Sequence, residues 1–473
     1  MDKATFGMIG LGTMGRNFLL NIGEHSIAGV GYDLDKEKRD LLMKEGSEMP
    51  LDVGKDIPEF LSKLSSPRNI MLLVPAGPIV DAVIADLTPH LNENDLIIDG
   101  GNSHYTDTDR RIAELAAQQI GFMGIGISGG EEGARHGASI MPGGTKEHYD
   151  RVEHILKAVA AKVDDEPCVA YMGQGSAGHF VKMVHNGIEY GLMQIIGETY
   201  DYLRRVKGKT AGEISEIFEK WNTTELNSFL IEITAIVLRK KDAETGKFLV
   251  DEVLDEAGQK GTGKWTSQAA LDLGIPIPTI DSAVSMRQIS AIRSVRDAAG
   301  EVFGKDLAER ESSISTDDLQ KALTAAFIIT YAQGMSLIQA AATELSYGTD
   351  LAEVSKIWRG GCIIRSALLE EMRQAYGENP GLESLMIDAK FADALKAHTP
   401  NLRKMLSACT RHGIAALCLG SALSYFDAFR AEKLPANLIQ AQRDLFGAHT
   451  YKRNDTEGVF HTSDWETADG TGA

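Results

Sequence analysis

The sequence predicts an α/β N-terminal domain built on a parallel sheet, followed by a large all-α domain and a C-terminal tail. Short apolar runs alternate with helical patterns up to about residue 175, which is typical of βαβ units. Long helical patterns dominate from Phe180 onward, and turn formers become frequent after Leu434-Pro435. We therefore expect three domains, covering residues 1–178, 179–434 and 435–473.

Composition narrows the class of protein. The 473 residues include 48 Lys and Arg against 67 Asp and Glu, which gives a net charge of −19. This acidic balance argues against nucleic-acid or anionic-membrane binding, although a small anion can still bind in a locally basic pocket. Four dispersed cysteines without metal-ligand spacing, the lack of a signal-peptide pattern and the lack of an 18-residue apolar run predict a cytoplasmic protein without a membrane span.

Five short apolar runs predict the strands of the first domain. Continuous apolar runs are expected where helices cover a parallel sheet on both faces. A helical pattern at Asn17–Ile22 separates the first two runs. The runs are Phe6–Ile9, Ile27–Tyr32, Ile70–Val74, Leu96–Asp99 and Gly121–Ile127.

A glycine-rich loop joins the first predicted strand to the helix that follows it. Gly10-Leu11-Gly12-Thr13-Met14-Gly15 matches G-x-G-x-x-G, the fingerprint of a Rossmann-type dinucleotide-binding domain. The first glycine permits the tight turn, the second lets a pyrophosphate approach the backbone, and the third lets helix and strand pack closely. Because free N–H groups at a helix N-terminus attract phosphates, we expect all six residues to bind a dinucleotide.

An acidic residue follows the second predicted strand. Asp33, within Gly31-Tyr32-Asp33-Leu34-Asp35, can accept hydrogen bonds from the adenosine ribose hydroxyls of NAD and would repel the 2′-phosphate of NADP. Lys36, Lys38 and Arg39 follow closely, so the exclusion of NADP stays open. The alternative is that Asp33 and Asp35 only end a strand in a turn.

Four long helical patterns predict the second domain, and the first of them has a polar face. At helical spacing, one side carries an amine, an imidazole, an amide and a carboxylate, from Lys182, His185, Asn186 and Glu189. The alternative is a solvated Lys–Glu face, which the glycine-rich segment before it makes less attractive. The four patterns are Phe180–Val206, Ala211–Val237, Leu319–Leu345 and Asn401–Arg430.

Several motifs, in order and over nearly the whole chain, resemble the family of decarboxylating 6-phosphogluconate dehydrogenases. The glycine loop and the polar helix are two of them. The motifs that carry the resemblance are Gly10–Gly15, Asp99–Ser103, Ser128–Ala134, Lys182–Tyr190, Gln259–Thr266, Ile439–Asp444 and Phe446–Tyr451.

The resemblance implies oxidative decarboxylation of 6-phosphogluconate to ribulose 5-phosphate and CO2, in the oxidative pentose phosphate pathway, with NAD or NADP and without a metal. It makes Lys182 the general base that takes the proton of the 3-hydroxyl, and Glu189 the acid that protonates C1 of the enediol. A lysine base must be partly neutral near pH 7, which requires a lowered pKa, and Glu189 must hold its proton, which burial favours.

The resemblance also implies which residues bind the substrate. Arg443 and His449 are expected to reach the active site of the neighbouring subunit, which implies an obligate homodimer. Taken singly, Arg287 and Arg443 would be surface or ion-pair residues and His449 a structural one. The expected substrate contacts are Asn102, Ser128, Gly129, Gly130, His185 and Asn186 for the carboxylate and hydroxyls, and Tyr190, Lys260, Thr262, Arg287, Arg443 and His449 for the phosphate.

Two segments depart from the family's pattern. Asp33-Leu34-Asp35 stands where most long-chain members have Asn-Arg-Ser or Asn-Arg-Thr, and Val74-Pro75-Ala76 lacks a usual lysine. A 2′-phosphate would lose two cationic contacts and meet a carboxylate, at a cost of roughly a few kcal/mol. We therefore predict that NAD is preferred over NADP, with Asp33, Leu34, Asp35, Val74, Pro75, Ala76 and Asn102 among the cofactor contacts.

Two other functions remain open. A shorter β-hydroxyacid dehydrogenase, such as one acting on hydroxyisobutyrate, would share the glycine loop and the lysine helix but would not need the Lys260 motif or the Arg443 and His449 tail. A non-catalytic NAD-binding sensor or structural protein would not need both Lys182 and Glu189. Cofactor reduction with 6-phosphogluconate, accompanied by CO2 release, separates the three.

Overall fold

The computed structural model describes residues 3–304 and 313–466. Contacts divide the chain into two compact units, Met1–Ala422 and Leu423–Ala473. Parts of all three predicted domains lie outside the described residues, namely 1–2 of the first, 305–312 of the second and 467–473 of the tail. The α/β domain and most of the helical domain therefore belong to the first unit.

A twisted sheet forms the first part of the chain, as the apolar runs predict. Among the described residues, seven strands form it in the order β3-β2-β1-β4-β5-β6-β7. The first six strands are parallel, and β7 pairs antiparallel with β6. The strands are β1 (Phe6–Ile9), β2 (Gly29–Tyr32), β3 (Leu51–Val53), β4 (Asn69–Leu72), β5 (Leu96–Asp99), β6 (Gly121–Ser128) and β7 (Ser139–Pro142).

This strand order creates a binding crevice. The chain runs outward from β1 through β2 to β3, then crosses back to β4 on the other side of β1. In such sheets a ligand binds outside the carboxyl ends of the strands, where the order reverses. The Rossmann-type fold predicted from the sequence is confirmed, and its crevice lies beside the glycine loop after β1.

Helices cover the sheet on both faces. Because β1, β4 and β5 are buried along their whole length, their side chains pack into apolar clusters on either side. The helices of this part are α1 (Thr13–Glu24), α2 (Lys36–Glu45), α3 (Ile57–Ser62), α4 (Pro78–Leu87), α5 (Tyr105–Ala116), α6 (Gly130–His136) and α7 (Lys146–Val159). A short hairpin, β8 (Lys162–Val163) and β9 (Glu166–Pro167), and a 3-10 turn at Thr88–His90 complete it.

The rest of the described chain is helical. The long helix α8 (Ala177–Arg205) packs against β6 and against α12, α13 and α15, which places it between the sheet and the helical part. The other helices are α9 (Ala211–Trp221), α10 (Phe229–Arg239), α11 (Leu249–Glu252), α12 (Thr262–Asp272), α13 (Pro278–Ala291), α14 (Arg293–Phe303), α15 (Thr316–Glu344), α16 (Leu351–Trp358), α17 (Leu368–Glu378), α18 (Ala389–His412), α19 (Leu417–Phe429) and α20 (Ala436–Gly447), with a 3-10 turn at Leu385–Ile387.

Two of the four long helical predictions are wrong in their continuity. The pattern at Ala211–Val237 is two helices, because α9 ends at Trp221 and Ser228 starts a new helix by accepting a hydrogen bond from the Ile231 N–H. The pattern at Asn401–Arg430 is likewise split, since α18 ends at Gly413 in the left-handed conformation, with φ of 68°. Residues with strong turn chemistry override the apolar periodicity at both places.

One described helix, α15, is long and apolar enough to cross a membrane. Its length and hydropathy alone pass that test, and 78% of its most apolar window is buried inside the protein. It packs against α8 and α18. In this fold α15 is a core helix.

The second unit is organised around Asp444 on α20. The Asp444 carboxylate accepts hydrogen bonds from the Thr450 and Thr462 N–H groups, from His461 Nδ1 and from Trp465 Nε1, at 2.9 to 3.0 Å. Burial tends to raise the pKa of Asp444, but these hydrogen bonds lower it below its usual range. The tail therefore has its own folded core.

Candidate active site

The glycine loop after β1 has the backbone that dinucleotide binding requires. Gly10 has φ of 93°, and a Cβ built on it would lie 2.5 Å from the Leu73 carbonyl oxygen. Gly12 precedes α1 without a side-chain cap, and nothing lies within 4 Å of its Cβ position. The first turn of α1 thus presents backbone N–H groups to open space, which fits a pyrophosphate. The residues of this chain fit a bound dinucleotide.

Asp33 lies directly against this loop. Its Oδ2 accepts a hydrogen bond from the Leu11 N–H at 2.8 Å and lies 3.4 Å from Lys38 Nζ, and its Oδ1 accepts from the Asp35 N–H at 2.9 Å. Asp35 is the N-cap of α2. The turn interpretation therefore fits both residues, because Asp33 accepts from the Asp35 N–H and Asp35 caps α2. The role of Asp33 at the adenosine ribose stays a prediction, which its position beside the glycine loop fits.

The other predicted cofactor contacts near Asp33 are largely exposed to solvent. Leu34 is 88% exposed, and Arg39 donates hydrogen bonds to the Asp33 and Leu34 carbonyl oxygens. Val74 follows β4 beside Gly10, and Pro75 and Ala76 are exposed. The guanidinium of Arg39 is thus turned toward the backbone of the Asp33 turn in this structure.

Lys182 is buried where α8 crosses β6. Its side chain is close to Gly126, where a Cβ would overlap the Cβ of Lys182. Burial lowers the pKa of the Lys182 amine from its ordinary value of 10.5, and the charges of Glu189 and Cys362 oppose this only in part. The amine is therefore biased toward the neutral form that a general base needs.

Glu189 lies two turns further along the same helix and has the opposite bias. Burial raises the pKa of the Glu189 carboxyl above 4.5, while Lys182 and Arg287 act in the other direction. The carboxyl is therefore biased toward its protonated form. Helix α8 thus carries an amine biased toward its neutral form and a carboxyl biased toward its protonated form, and the ionisation of each group influences that of the other.

His185 links α8 to the last residue of β6. Its Nε2 lies 3.2 Å from Ser128 Oγ, and its Nδ1 lies 3.0 Å from Asn186 Oδ1. Burial and the Lys182 charge hold the pKa of His185 well below 6.5, so the ring is neutral. Since an amide oxygen only accepts, the assigned orientation of Asn186 makes Nδ1 the donor and leaves Nε2 to accept from the Ser128 hydroxyl.

The start of α12 brings further polar groups to this face of α8. Asn186 Nδ2 donates to Thr262 Oγ1 at 3.2 Å, and Gly263 packs so closely on the Tyr190 ring that a Cβ there would lie 2.6 Å from it. The Arg287 guanidinium lies 4.0 Å from the Tyr190 ring centroid and donates to the Gly258 carbonyl at 2.7 Å. A cation is therefore held beside the polar face of α8.

These contacts bring most of the predicted substrate residues together. Gly129 and Gly130 begin α6, next to Ser128, and both have positive φ. Asn102 and Lys260 are exposed, in the loops that precede α5 and α12. The residues joined through contacts and electrostatic interactions with α8 are Ser128, Lys182, His185, Asn186, Glu189, Tyr190, Thr262 and Arg287.

Arg443 and His449 belong to the second unit. Arg443 is exposed and donates a hydrogen bond to Gln440 at 3.1 Å. The exposed His449 ring lies 5.8 Å from the Phe446 ring. Both side chains flank the Asp444 core of the tail, and their assignment to a partner's active site stays a prediction.

Sequence reasoning missed the segment that packs behind this site. The Trp358 ring meets His185 edge to face, with ring centroids 5.5 Å apart, and Cys362 lies near enough to Lys182 to influence its pKa. A Cβ on Gly129 would lie 2.6 Å from the Gly361 carbonyl oxygen. The adjacent glycines Gly360-Gly361 are the signal in the sequence that a close backbone approach occurs here.

Comparison with known proteins gives a consistent picture. A model described as the NAD binding domain of 6-phosphogluconate dehydrogenase matches residues 5–173, and a model of the C-terminal domain of 6-phosphogluconate dehydrogenase matches residues 178–465. The chain is 48% identical over 466 residues to a protein of Bacillus subtilis named 6-phosphogluconate dehydrogenase, NADP(+)-dependent, decarboxylating. That match covers 98% of this chain and 99% of the relative.

Two further relatives extend the comparison. The decarboxylating 6-phosphogluconate dehydrogenase of Lactococcus lactis subsp. lactis is 46% identical, and the match covers 99% of this chain and 100% of that protein. A solved structure of the Plasmodium falciparum 6-phosphogluconate dehydrogenase is similar with a TM-score of 0.94 and 42% identity, covering 97% of this chain and 100% of that one. That protein is described in its apo form, in complex with its cofactor NADP+ and in complex with its substrate 6-phosphogluconate.

Proposed function

The chain belongs to the 6-phosphogluconate dehydrogenase family, and we propose that it converts 6-phosphogluconate to ribulose 5-phosphate and CO2 with NAD as the preferred cofactor. It is an oxidoreductase of the decarboxylating type. The observation that carries the proposed chemistry is the pairing on α8 of Lys182, whose pKa burial lowers, with Glu189, whose pKa burial raises. An oxidative decarboxylation that begins with proton removal and ends with proton donation needs this combination.

The first proton transfer is assigned to Lys182. Its neutral amine takes the proton of the substrate's 3-hydroxyl while the C3–H bond breaks. The nicotinamide of the bound dinucleotide supplies the hydride acceptor. Lys182, now protonated, donates a hydrogen bond to the new C3 carbonyl oxygen, which helps that carbonyl withdraw electrons from the neighbouring carbon.

The second half of the reaction is assigned to Glu189. The C1–C2 bond of the 3-keto acid breaks, CO2 leaves, and the electron pair moves toward the C3 oxygen, which takes the proton of Lys182 to give an enediol. Protonated Glu189 then donates its proton to the carbon left by CO2, while Lys182 takes the C3 hydroxyl proton back and C3 becomes a carbonyl again. Both groups end in the reverse of their starting protonation states, so the next cycle requires proton exchange with solvent.

We assign substrate binding to the polar groups around α8. Ser128, Gly129, Gly130, His185, Asn186 and Asn102 would contact the carboxylate and hydroxyls. Lys260, Thr262, Tyr190 and Arg287 would contact the phosphate, since guanidinium and ammonium groups bind phosphate strongly. The Arg287 position beside Glu189 and Tyr190 supports this assignment.

The preference for NAD rests on the Asp33 turn. The Asp33 carboxylate is fixed against the glycine loop by the Leu11 N–H, and exposed Leu34 offers no charge to a 2′-phosphate. The Bacillus subtilis relative is named NADP(+)-dependent. The test is to compare kcat/KM for NAD with kcat/KM for NADP. A higher value for NAD supports the proposal, and a higher value for NADP contradicts it.

We further propose a cytoplasmic homodimer in which Arg443 and His449 of each tail complete the phosphate site of the partner subunit. We also propose that the domain boundaries lie between residues 178 and 179 and between residues 434 and 435. The start of α8 at Ala177, close to the first boundary, supports it. So does the separate folded core around Asp444.

The decisive experiment is a steady-state assay with 6-phosphogluconate and each cofactor, with CO2 measured alongside reduced nucleotide. We expect one CO2 for each cofactor reduced, and loss of both in Lys182→Met. Glu189→Gln should lose ribulose 5-phosphate formation most strongly. Activity with hydroxyisobutyrate in place of 6-phosphogluconate, or full turnover without Lys182, would contradict the proposal.

A further inference from the structure

A buried arginine on α5 connects two loops at the carboxyl edge of the sheet. Arg111 is only 1% exposed. Its Nε donates to Asp81 Oδ1 at 2.8 Å, and its Nη1 lies 3.3 Å from both Asp99 Oδ2 and Ser103 Oγ. Its Nη2 donates to the Gly77 carbonyl oxygen at 3.1 Å. One guanidinium therefore holds acceptors from two separate segments of the chain, Gly77 with Asp81 at the start of α4 and Asp99 with Ser103 after β5.

The first of these segments follows β4. Gly77 directly follows Val74-Pro75-Ala76, the segment assigned to the cofactor, and it precedes α4. Its φ of 92° belongs to glycine, so the chain turns sharply where Arg111 holds its carbonyl. The contact fixes the end of this loop against α5.

The second segment follows β5 and contains Asn102. Asp99 Oδ1 accepts a hydrogen bond from the Gly101 N–H at 3.0 Å, and Asp99 Oδ2 accepts one from Ser103 Oγ at 2.6 Å. Asp99 therefore holds the residues on both sides of Asn102, the Gly101 backbone on one side and the Ser103 side chain on the other. Since Arg111 in turn pairs with Asp99, the orientation of the Asn102 loop depends on α5.

Arginine has the geometry to join both loops at once. Its guanidinium is planar, and its donors point in fixed directions, so the positions of Asp99 and the Gly77 carbonyl are set relative to each other. A lysine would have a single charged nitrogen on a flexible stem and could not reproduce four directed contacts. Both loops border the crevice in which this fold binds its ligand.

We propose that Arg111 is a positioning residue, which holds the Val74–Gly77 loop and the Asn102 loop at the separation that brings dinucleotide and sugar acid into register for hydride transfer. This inference rests on the proposed function, because Asn102 and the Val74–Ala76 segment are assigned to the ligands there. Arg111 itself touches neither ligand and acts through Asp99 and Gly77.

The test compares Arg111→Met with Arg110→Met. Arg110 is the neighbouring residue on α5, and it also pairs with Asp81, at 2.9 Å, but its side chain is 43% exposed and it binds neither loop. In Arg111→Met we expect kcat to fall and the KM for the dinucleotide to rise, each by about tenfold or more, because small displacements of positioned groups reduce rates strongly. Arg110→Met should stay within about twofold of the wild type for these constants, as an exposed pair contributes little. Arg111→Lys should recover part of the loss.

Removing Arg111 alone leaves a buried carboxylate unpaired, which can prevent folding. The double variant Asp99→Asn/Arg111→Met removes both buried charges, so it tests the same role of Arg111 without leaving a carboxylate unpaired. Kinetic constants are measured well below the Tm of each variant, so that loss of stability does not enter them. If either folded variant matches Arg110→Met within twofold in kcat and KM, Arg111 is a structural residue and the proposal is overturned.

A binding measurement separates this inference from the proposed function. The Kd of the dinucleotide, obtained by calorimetry without substrate, should rise several-fold in Arg111→Met and stay unchanged in Arg110→Met. A wild-type enzyme inactive on 6-phosphogluconate would overturn the proposed function, and the Kd would then decide the role of Arg111 alone. An unchanged Kd in that case overturns the positioning role as well.

Discussion

Gly126 on β6 faces Lys182 on α8 so closely that a Cβ on the glycine would overlap the Cβ of the lysine. Helix α8 is therefore packed against the sheet at the residue proposed to act as the base. This close approach removes water from around the Lys182 stem, and burial is the main cause of its lowered pKa. The backbone of the sheet thus contributes to the chemistry of the helix.

Replacing Gly126 by alanine should displace α8. We expect Gly126→Ala to lower kcat by about 10-fold to 100-fold, because Lys182 shifts relative to the substrate, and to cost about 1–3 kcal/mol in stability through overpacking. The measurements are steady-state kinetics and thermal unfolding. Gly377→Ala on α17 is the control, since nothing lies within 4 Å of its Cβ position. Unchanged kinetics in Gly126→Ala would show that α8 tolerates the displacement.

The pH dependence of kcat/KM should reflect the Lys182 pKa. Below that pKa the amine is protonated and cannot act as a base, and above it the amine is neutral and active. Since burial lowers the pKa of Lys182, the rise in kcat/KM with pH should occur below 10.5. Lys182→Arg should lose about 10²-fold to 10⁴-fold in kcat, because arginine stays protonated. Lys157→Arg on α7 serves as the control and should keep the wild-type profile.

Cofactor choice should respond to two substitutions in the Asp33 turn. Asp33→Asn with Leu34→Arg removes a like charge and adds a cation near the 2′-phosphate. We expect the NADP to NAD ratio of kcat/KM to rise by about 10²-fold, corresponding to roughly 3 kcal/mol. The asparagine can still accept from the Leu11 N–H. Asp40→Asn on α2 is the control, since the exposed Asp40 carboxylate pairs with Lys36 and is not among the proposed cofactor contacts. If the ratio does not move, the 2′-hydroxyl or 2′-phosphate is held elsewhere.

The role of Arg287 can be tested with a substrate that lacks the phosphate. For 6-phosphogluconate, Arg287→Met should raise KM by about 30-fold or more, because truncating one partner of a charged pair costs 2 kcal/mol or more. For gluconate, the variant and the wild type should have similar kcat/KM. The exposed Arg293, paired with Asp255 and Asp297, supplies the control Arg293→Met. Equal losses on both substrates would place Arg287 away from the phosphate.

The shared site can be tested with mixed dimers. Lys182→Met and Arg443→Met should each be nearly inactive as homodimers. After the two variants are unfolded together and refolded, about half of the dimers are mixed, and each mixed dimer has one intact site if the tail serves its partner. Activity should then return to about a quarter of the wild-type value. If the tail serves its own subunit, each variant chain is defective by itself and no activity returns.

Local signals in the sequence were sufficient for the elements that face the ligand. The apolar runs at Ile70–Val74 and Leu96–Asp99 predicted β4 and β5 to within two residues, and the Gly10–Gly15 pattern located the turn before α1. The polar spacing from Lys182 to Glu189 predicted a reactive helix face on α8. Each of these features is defined by residues only a few positions apart in the chain, so it can be recognised without knowledge of distant contacts.

Features that depend on distant parts of the chain were not predictable in this way. The sequence did not indicate that β7 pairs antiparallel with β6, because strand partners are chosen by the whole sheet. The packing of Trp358 against His185 joins segments far apart in sequence. The Arg111 network also depends on the tertiary structure, since the buried guanidinium gains its partners only when the loops after β4 and β5 meet α5.

The sequence by itself determined the Rossmann-type domain, the helical domain and the residues able to do acid–base chemistry, because these follow from local periodicity and from side-chain type. Only the tertiary structure decided the protonation bias of Lys182 and Glu189 and the neutral tautomer of His185. The physical reason is that desolvation depends on every atom that excludes water from a group, and those atoms come from β6, α12 and the Trp358–Cys362 segment, which only folding brings together.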